Sequence, residues 1–139
     1  MIDFTIDGLP VAKGRPRVTR NGTYTPAKTK NYEKLVQLYF NNQYKGDPLE
    51  GPLRLTIDFY MYIPKNTSKK RRKLKNNKAI LPTKKPDFDN LTKSITDALN
   101  KLAYKDDNQI VEAHIFKYYS DNPKAVVKIE TIKGEMTNE

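Results

Sequence analysis

Cysteine and tryptophan are absent from this sequence, and histidine occurs once, at His114. Without Cys there is neither a disulfide nor a thiolate metal site, which accords with a reducing cytoplasm. A zinc centre built from sulfur and imidazole is excluded with it. No apolar run approaches the roughly 18–20 residues that span a bilayer, and no membrane partner is expected. The N-terminus, MIDFTIDGLPVAKGRPR, lacks the basic-then-apolar order of a secretory signal. These absences predict a soluble intracellular chain, and 139 residues suffice for a single domain, 1–139, with a real core.

Acid is scarce too: 16 Asp and Glu stand against 26 Lys and Arg, for a formal net charge of +10. An excess of that size predicts a polyanionic partner, nucleic acid ahead of a membrane surface. The plainer reading, that the charge only confers solubility, fits its distribution poorly. Residues 64–85, PKNTSKKRRKLKNNKAILPTKK, hold ten Lys or Arg and no acid. The few acids are instead gathered, with Asp87, Asp89, Asp97, Asp106 and Asp107 falling within 21 consecutive residues.

Periodicity supplies the frame. Ile2, Phe4 and Ile6 alternate with polar neighbours and predict an opening strand. RVTR-NG-TYT reads as a small hairpin turning at Asn21-Gly22 and carrying Arg15, Arg17 and Arg20. Tyr32, Leu35, Val36, Tyr39 and Phe40 have helical spacing over 27–43. Leu53, Leu55, Ile57, Phe59 and Met61 form one face of a strand. The basic stretch 64–85 reads as a loop or as a short helix capped at Thr67-Ser68. Leu91, Ile95, Ala98, Leu99 and Leu102 predict a helix over 90–103. Gln109–Tyr119 and KAVVKIETI read as two strands paired in a hairpin through Asn122-Pro123, and GEMTNE as a frayed tail. The order predicts an α+β fold of two layers, a mixed β-sheet with helices packed on one face.

Carboxylates repel one another, so gathering them needs a reason. If Asp87 to Asp89 is extended, residues i and i+2 project to one side and can converge on a hard cation. Oxygen-only ligands point to Mg²⁺ or Mn²⁺. Beside a Lys/Arg-rich surface, such a site suits phosphodiester cleavage. Structural readings stand beside this one. Asp89 suits a helix N-cap, and Asp106-Asp107-Asn108 is ordinary turn composition. Asp89, Lys93, Asp97 and Lys101 could form a solvated ion-pair ladder. His114 fits a strand face, and the tyrosines fit a core.

Taken whole, KPDFDNLTKSITDALNKLAYKDDNQI resembles the RusA family of Holliday junction resolvases, endodeoxyribonucleases often carried by prophages. The shared pattern is D-x-D-N-L-x-K, then D-A-L, then D-D-x-Q-[IV]. Here it reads Asp87-Phe-Asp89-Asn90-Leu91-Thr-Lys93, Asp97-Ala98-Leu99 and Asp106-Asp107-Asn-Gln109-Ile110. GRPRVTRNGTYTPAKTKNYE is also similar to the amino-terminal part of relatives, so the likeness covers most of the chain. The resemblance implies that Asp87, Asp89 and Asp107 bind the catalytic metal and that Lys93 acts near the scissile phosphate. Asp106 would be a fourth acid or a turn residue. It further implies a homodimer, bacterial or phage-encoded, that makes paired nicks in a four-way DNA junction during recombination and repair. The basic segment, with Lys69, Lys70, Arg71, Arg72 and Lys73, and the Arg15/Arg17/Arg20 hairpin are the expected DNA contacts.

Two alternatives frame the expectation. KPD is reminiscent of PD-(D/E)-x-K nucleases, but no Lys here has Asp or Glu two residues before it. A non-catalytic DNA-binding module, a phage regulator or architectural protein, explains the charge but leaves the carboxylate cluster without a purpose.

Overall fold

A computed structural model describes residues 1–14, 17–24 and 26–133. The elements are β1 (Ile2–Asp7), β2 (Arg17–Thr19), β3 (Gly22–Tyr24), α1 (Ala27–Gln43), β4 (Leu53–Met61), α2 (Lys69–Asn76), α3 (Phe88–Leu99), a 3-10 turn (Asp107–Gln109), β5 (Ile110–Tyr119) and β6 (Lys124–Thr131). The expected contact Arg15 and the tail 134–139 lie outside the described residues, as does the side chain of Arg17.

Four strands make one mixed sheet in the order β1-β6-β4-β5. β6 runs antiparallel to β1 and β4, whereas β4 and β5 are parallel. Alternation along β4 puts Leu53, Leu55, Ile57, Phe59 and Met61 on a fully shielded face. Tyr32, Val36 and Phe40 of α1 and Leu91, Ile95 and Leu99 of α3 complete that core. On the other face Arg54, Thr56, Asp58 and Tyr60 remain partly exposed. The fold is α+β with helices against the sheet, as the periodicity predicts.

The last two strands do not form the expected hairpin. β6 enters between β1 and β4, and β5 occupies the sheet edge. Burial explains the choice. Ala125, Val127 and Ile129 are completely shielded at the central position, while β5 keeps an exposed side. The connection steps across the end of β4, where Ser120 N–H donates to the Met61 carbonyl at 2.9 Å. Parallel pairing of β4 with β5 requires a long crossover, and residues 62–109, with α2 and α3, supply it.

Part of the basic segment is helical. Ser68 caps α2, its Oγ accepting from Arg71 N–H at 3.3 Å. Arg72 and Asn76 hold Asp121, the Arg72 guanidinium also reaches the Pro64 carbonyl, and the Lys75 ammonium sits 4.6 Å from the Tyr119 ring centre. Those contacts decide between helix and loop. In the β2–β3 hairpin the closing pair is Thr19 with Gly22, so the loop residues are Arg20 and Asn21, one earlier than expected. Gly22 takes φ +114°, a conformation glycine adopts freely. α3 starts two residues earlier than its periodicity predicts and ends at Leu99. Lys101 has φ +68°, which a continuing helix does not allow. No helix among the described residues is long and apolar enough to cross a membrane.

The strand order has a direct readout in amide hydrogen exchange. Amides along β6 should all exchange slowly because both its edges are paired, whereas alternate amides of β5 should exchange fast. Uniform protection of β5, with alternating protection of β6, would restore the hairpin.

Candidate active site

α3 organises the site. Leu91, Ile95, Ala98 and Leu99 are buried, and helical geometry leaves Asp89, Lys93 and Asp97 stacked at four-residue spacing on another face. The chain before β2 straps this helix, with Lys13 N–H donating to the Asn90 carbonyl at 2.8 Å. The Lys13 ammonium then bridges Glu33 of α1 and Asp97 of α3, each at 3.1 Å. Partial burial disfavours the Lys13 cation, but hydrogen bonds and attraction from Glu33 and Asp97 outweigh it and raise its pKa. Lys93 approaches the same Asp97 carboxylate at 3.9 Å.

Asp87 occupies the N-cap position of α3 with extended backbone, and Asp89 lies in the first helical turn. The expected extended Asp87–Asp89 pair is therefore replaced by a turn from extended backbone into helix, because the helix takes in Phe88. The N-cap role read for Asp89 moves to Asp87. Its carboxylate nevertheless makes no capping hydrogen bond, nor any other side-chain bond among the described residues. Lys84, Lys85, Lys117 and the exposed Phe88 line a cleft around the two acids. Lys117 Nζ donates to the carbonyls of Lys84 and Pro86, both at 2.9 Å, and fixes the chain entering the helix.

Asp107 opens the 3-10 turn that follows α3. Its N–H donates to Asn100 Oδ1 at 3.1 Å. Asp106 caps the 3-10 turn, accepting from Asn108 N–H at 2.8 Å while its own N–H donates to Gln109 Oε1 at 3.1 Å. That geometry gives Asp106 the turn role foreseen as one of its two readings. The Asp107 carboxyl has a raised pKa: desolvation leads, followed by a hydrogen bond with Asp106 and repulsion from Asp106 and Asp97, with Lys93 acting against them. Tyr104 lies beneath, donating to the Thr96 carbonyl at 2.8 Å. Burial first, then the negative charges of Asp107, Asp97 and Asp106, raise its phenol pKa.

The structure thus groups Asp107 with Asp97, Asp106 and Lys93, and places Asp87 and Asp89 further along the same helix. At about 1.5 Å per residue, Asp89 and Asp97 are roughly 12 Å apart along the axis, with Lys93 between them. Among the described residues no three His, Asp or Glu side chains are arranged to hold a metal ion. The donor chemistry still fits a hard divalent cation: the oxygens are carboxylate, Asp87 makes no capping hydrogen bond, and desolvation and neighbouring carboxyls disfavour the anion of Asp107 despite Lys93.

Other expected residues separate by role. Lys69, Lys70, Arg71 and Lys73 are exposed on α2, and Arg20 is exposed on the hairpin loop. Arg72 is instead occupied in holding α2 to Asp121. Glu112 engages Arg54 and His114, away from the acids, so neither Glu112 nor His114 joins the site. Lys13 and Lys117 escaped the sequence reading because their partners are remote in the chain. Asp97 was legible as a member of the acid cluster, of the family pattern and of the ladder with Lys93, but its bond to Lys13 was not.

A family model described as Endodeoxyribonuclease RusA matches residues 7–130. The chain is 41% identical over 139 residues to the uncharacterized protein YqaN of Bacillus subtilis (strain 168), covering 96% of this chain and 98% of that protein. It is 28% identical over 135 residues to the crossover junction endodeoxyribonuclease rusA of Lactococcus phage r1t, covering 94% and 96% respectively.

The strained charge on Asp107 predicts a measurable cost. A carboxyl whose pKa is higher folded than unfolded contributes stability at low pH that is lost as pH rises through the folded value. Asp107→Asn should therefore raise Tm at pH 7 in metal-free buffer, and the gain should vanish below the ordinary aspartate pKa. A lower Tm at pH 7 would contradict this electrostatic account.

Proposed function

This chain belongs to the RusA endodeoxyribonuclease family, and from that premise we propose that it resolves four-way DNA junctions by paired nicks, with Mg²⁺ or Mn²⁺ held by Asp87, Asp89 and Asp107. The observation that carries this reading is the set of carboxylates on and just after α3, Asp87 without a capping bond and Asp107 repelled by its neighbours, with Lys93 among them, in a strongly basic protein. A structural N-cap acid would accept a capping hydrogen bond and a structural ion pair would lower its carboxyl's pKa; Asp87 makes no capping bond, and the Asp107 pKa is raised. Family nucleases depend on divalent metals, and the crossover-junction activity named for the phage relative comes to this chain as part of the proposal. Membership in an endonuclease family sets aside the non-catalytic module.

When bound, a divalent cation supplies an activated water and stabilises negative charge on the phosphate. The chain's own groups do the rest. Lys93, one turn beyond Asp89, presents an ammonium to the charge that develops on the scissile phosphate; at its ordinary pKa it is a poor base. Lys13 holds Asp97, and so restrains the carboxylate that faces Lys93. Lys69, Lys70, Arg71 and Lys73, exposed around α2, meet duplex phosphates, and Arg20 adds a second contact. Arg72 serves by fixing that helix to the sheet edge. Opposed cuts in a symmetric branched substrate suit a homodimer with two identical sites. A bacterial or phage cytoplasm, in recombination and repair, is the setting that fits.

Substitutions should separate cleavage from binding. Asp89→Asn should lower junction cleavage on the order of a thousandfold, and Lys93→Ala about tenfold to a hundredfold, with junction binding kept or strengthened. Gel-shift titration beside a cleavage assay in Mg²⁺ measures both; parallel loss of binding and cleavage in a folded Asp89→Asn protein would sink metal ligation.

The basic helix makes a different demand. Replacing Lys69, Lys70, Arg71 and Lys73 together by Ala should weaken binding and flatten the plot of log K against log salt by about 0.9 per lost phosphate contact. An unchanged slope would remove α2 from the interface.

A further inference from the structure

Next to the acids lies an apolar groove of about 780 Å³ that the nuclease reading leaves unused. Its volume falls in the range of roughly 300–1,000 Å³ typical of small-molecule sites. Met61, Val11 and Tyr119 lie at its less exposed side, while Leu9 and Tyr62 reach solvent at 44% and 55% exposure. Pro10, Pro26, Pro64, Pro82 and Pro86 contribute to its walls. Proline fixes φ, so these walls lose little freedom when a ligand enters.

Among the described residues the charges on the groove lining are of one sign: Lys28, Lys84 and Lys85 are exposed there, and no described acid lines it. Lys84 and Lys85 also line the cleft of Asp87 and Asp89, and Pro86 immediately precedes Asp87. An occupant that combines an apolar body with an anionic group, and continues into the acidic cleft, matches this lining. A nucleobase attached to its phosphate has that chemistry, since bases stack on aromatic and apolar side chains whatever their sequence. An apolar peptide would leave the three lysines without a counterpart.

We propose that this groove receives an unstacked base of the strand being cut, one nucleotide from the scissile phosphate, with Tyr62 as its stacking partner. The proposal rests on the junction-cleaving reading and extends it. It assigns selection of the nucleotide beside the cut to Tyr62 and Leu9, not to base-edge contacts in a duplex groove. Opening the junction at its branch point lowers the cost of unstacking, because bases there have lost a neighbour already. Lys84 and Lys85 would hold the phosphate between groove and cleft.

The test uses a four-way junction carrying 2-aminopurine at each nucleotide flanking the mapped cut, in buffer without divalent cations. At protein concentrations that saturate the junction, one flanking position should brighten several-fold with the wild-type chain. The brightening should disappear with Tyr62→Glu and with Leu9→Glu, both at solvent-reaching positions. In Mg²⁺, Tyr62→Ala should cut the intact junction about tenfold more slowly than wild type, and an abasic site at the brightened position should remove that difference. A junction that is bound and nicked without brightening at any position overturns the groove proposal and leaves the nuclease reading standing. Brightening that persists in both Glu variants does the same and leaves the groove to another occupant, a protein segment included. A wild-type chain that neither binds nor nicks junctions overturns both.

Discussion

The rotation of α3 about its own axis is the constraint on which the site depends. Leu91, Ile95, Ala98 and Leu99 are buried and set that rotation, and the positions of Asp89, Lys93 and Asp97 follow from it. Each residue turns the helix by roughly 100°, so a slip of one position would drive a carboxylate into the core, where an unpaired charge is costly. The Lys13 strap then locks the helix from outside, joining it to α1 through Glu33. A basic protein can hold acids together because its apolar contacts, and not the acids themselves, provide the stability. The opposing forces meet on a single helix.

That division accounts for the electrostatic state of the site. Acids serving stability acquire partners: Glu112 takes Arg54 and His114, and its pKa falls, first through the Arg54 hydrogen bond. Asp121 takes Arg72 and Asn76. Asp107 stands the other way, with its pKa raised by desolvation and by neighbouring carboxyls. Groups held against their preferred state concentrate where function needs them. The same logic divides the lysines. Lys13 and Lys117 are consumed by partners that fix the backbone, while Lys69, Lys70 and Lys73 stand exposed on one helix.

Much of the fold could be read from the chain because local periodicity reports local structure. The 27–43 helix, the β4 strand and the β2–β3 hairpin each declare themselves within a dozen or so residues. Strand order does not, since β5 and β6 look alike as neighbours in sequence and only burial in three dimensions puts β6 at the centre. The start of α3 was misplaced for a related reason: Asp87 and Asp89 are both acceptable caps, and the difference between them is a matter of two residues. The acids of the site were legible as residue types and as a family pattern. Their grouping was not, because the approach of Asp107 to Asp97 depends on how the chain turns back after Lys101. The groove was invisible in sequence, as its walls come from five well-separated segments.

The central claim is that Asp87 and Asp89 at the start of α3 share a divalent cation with Asp107, and anomalous scattering from Mn²⁺ addresses it most directly. Crystals grown with Mn²⁺ and a non-cleavable junction should show a manganese peak in contact with carboxylate oxygens of all three aspartates. A peak confined to Asp97 and Asp106, or none within coordination distance of Asp89, would contradict the account.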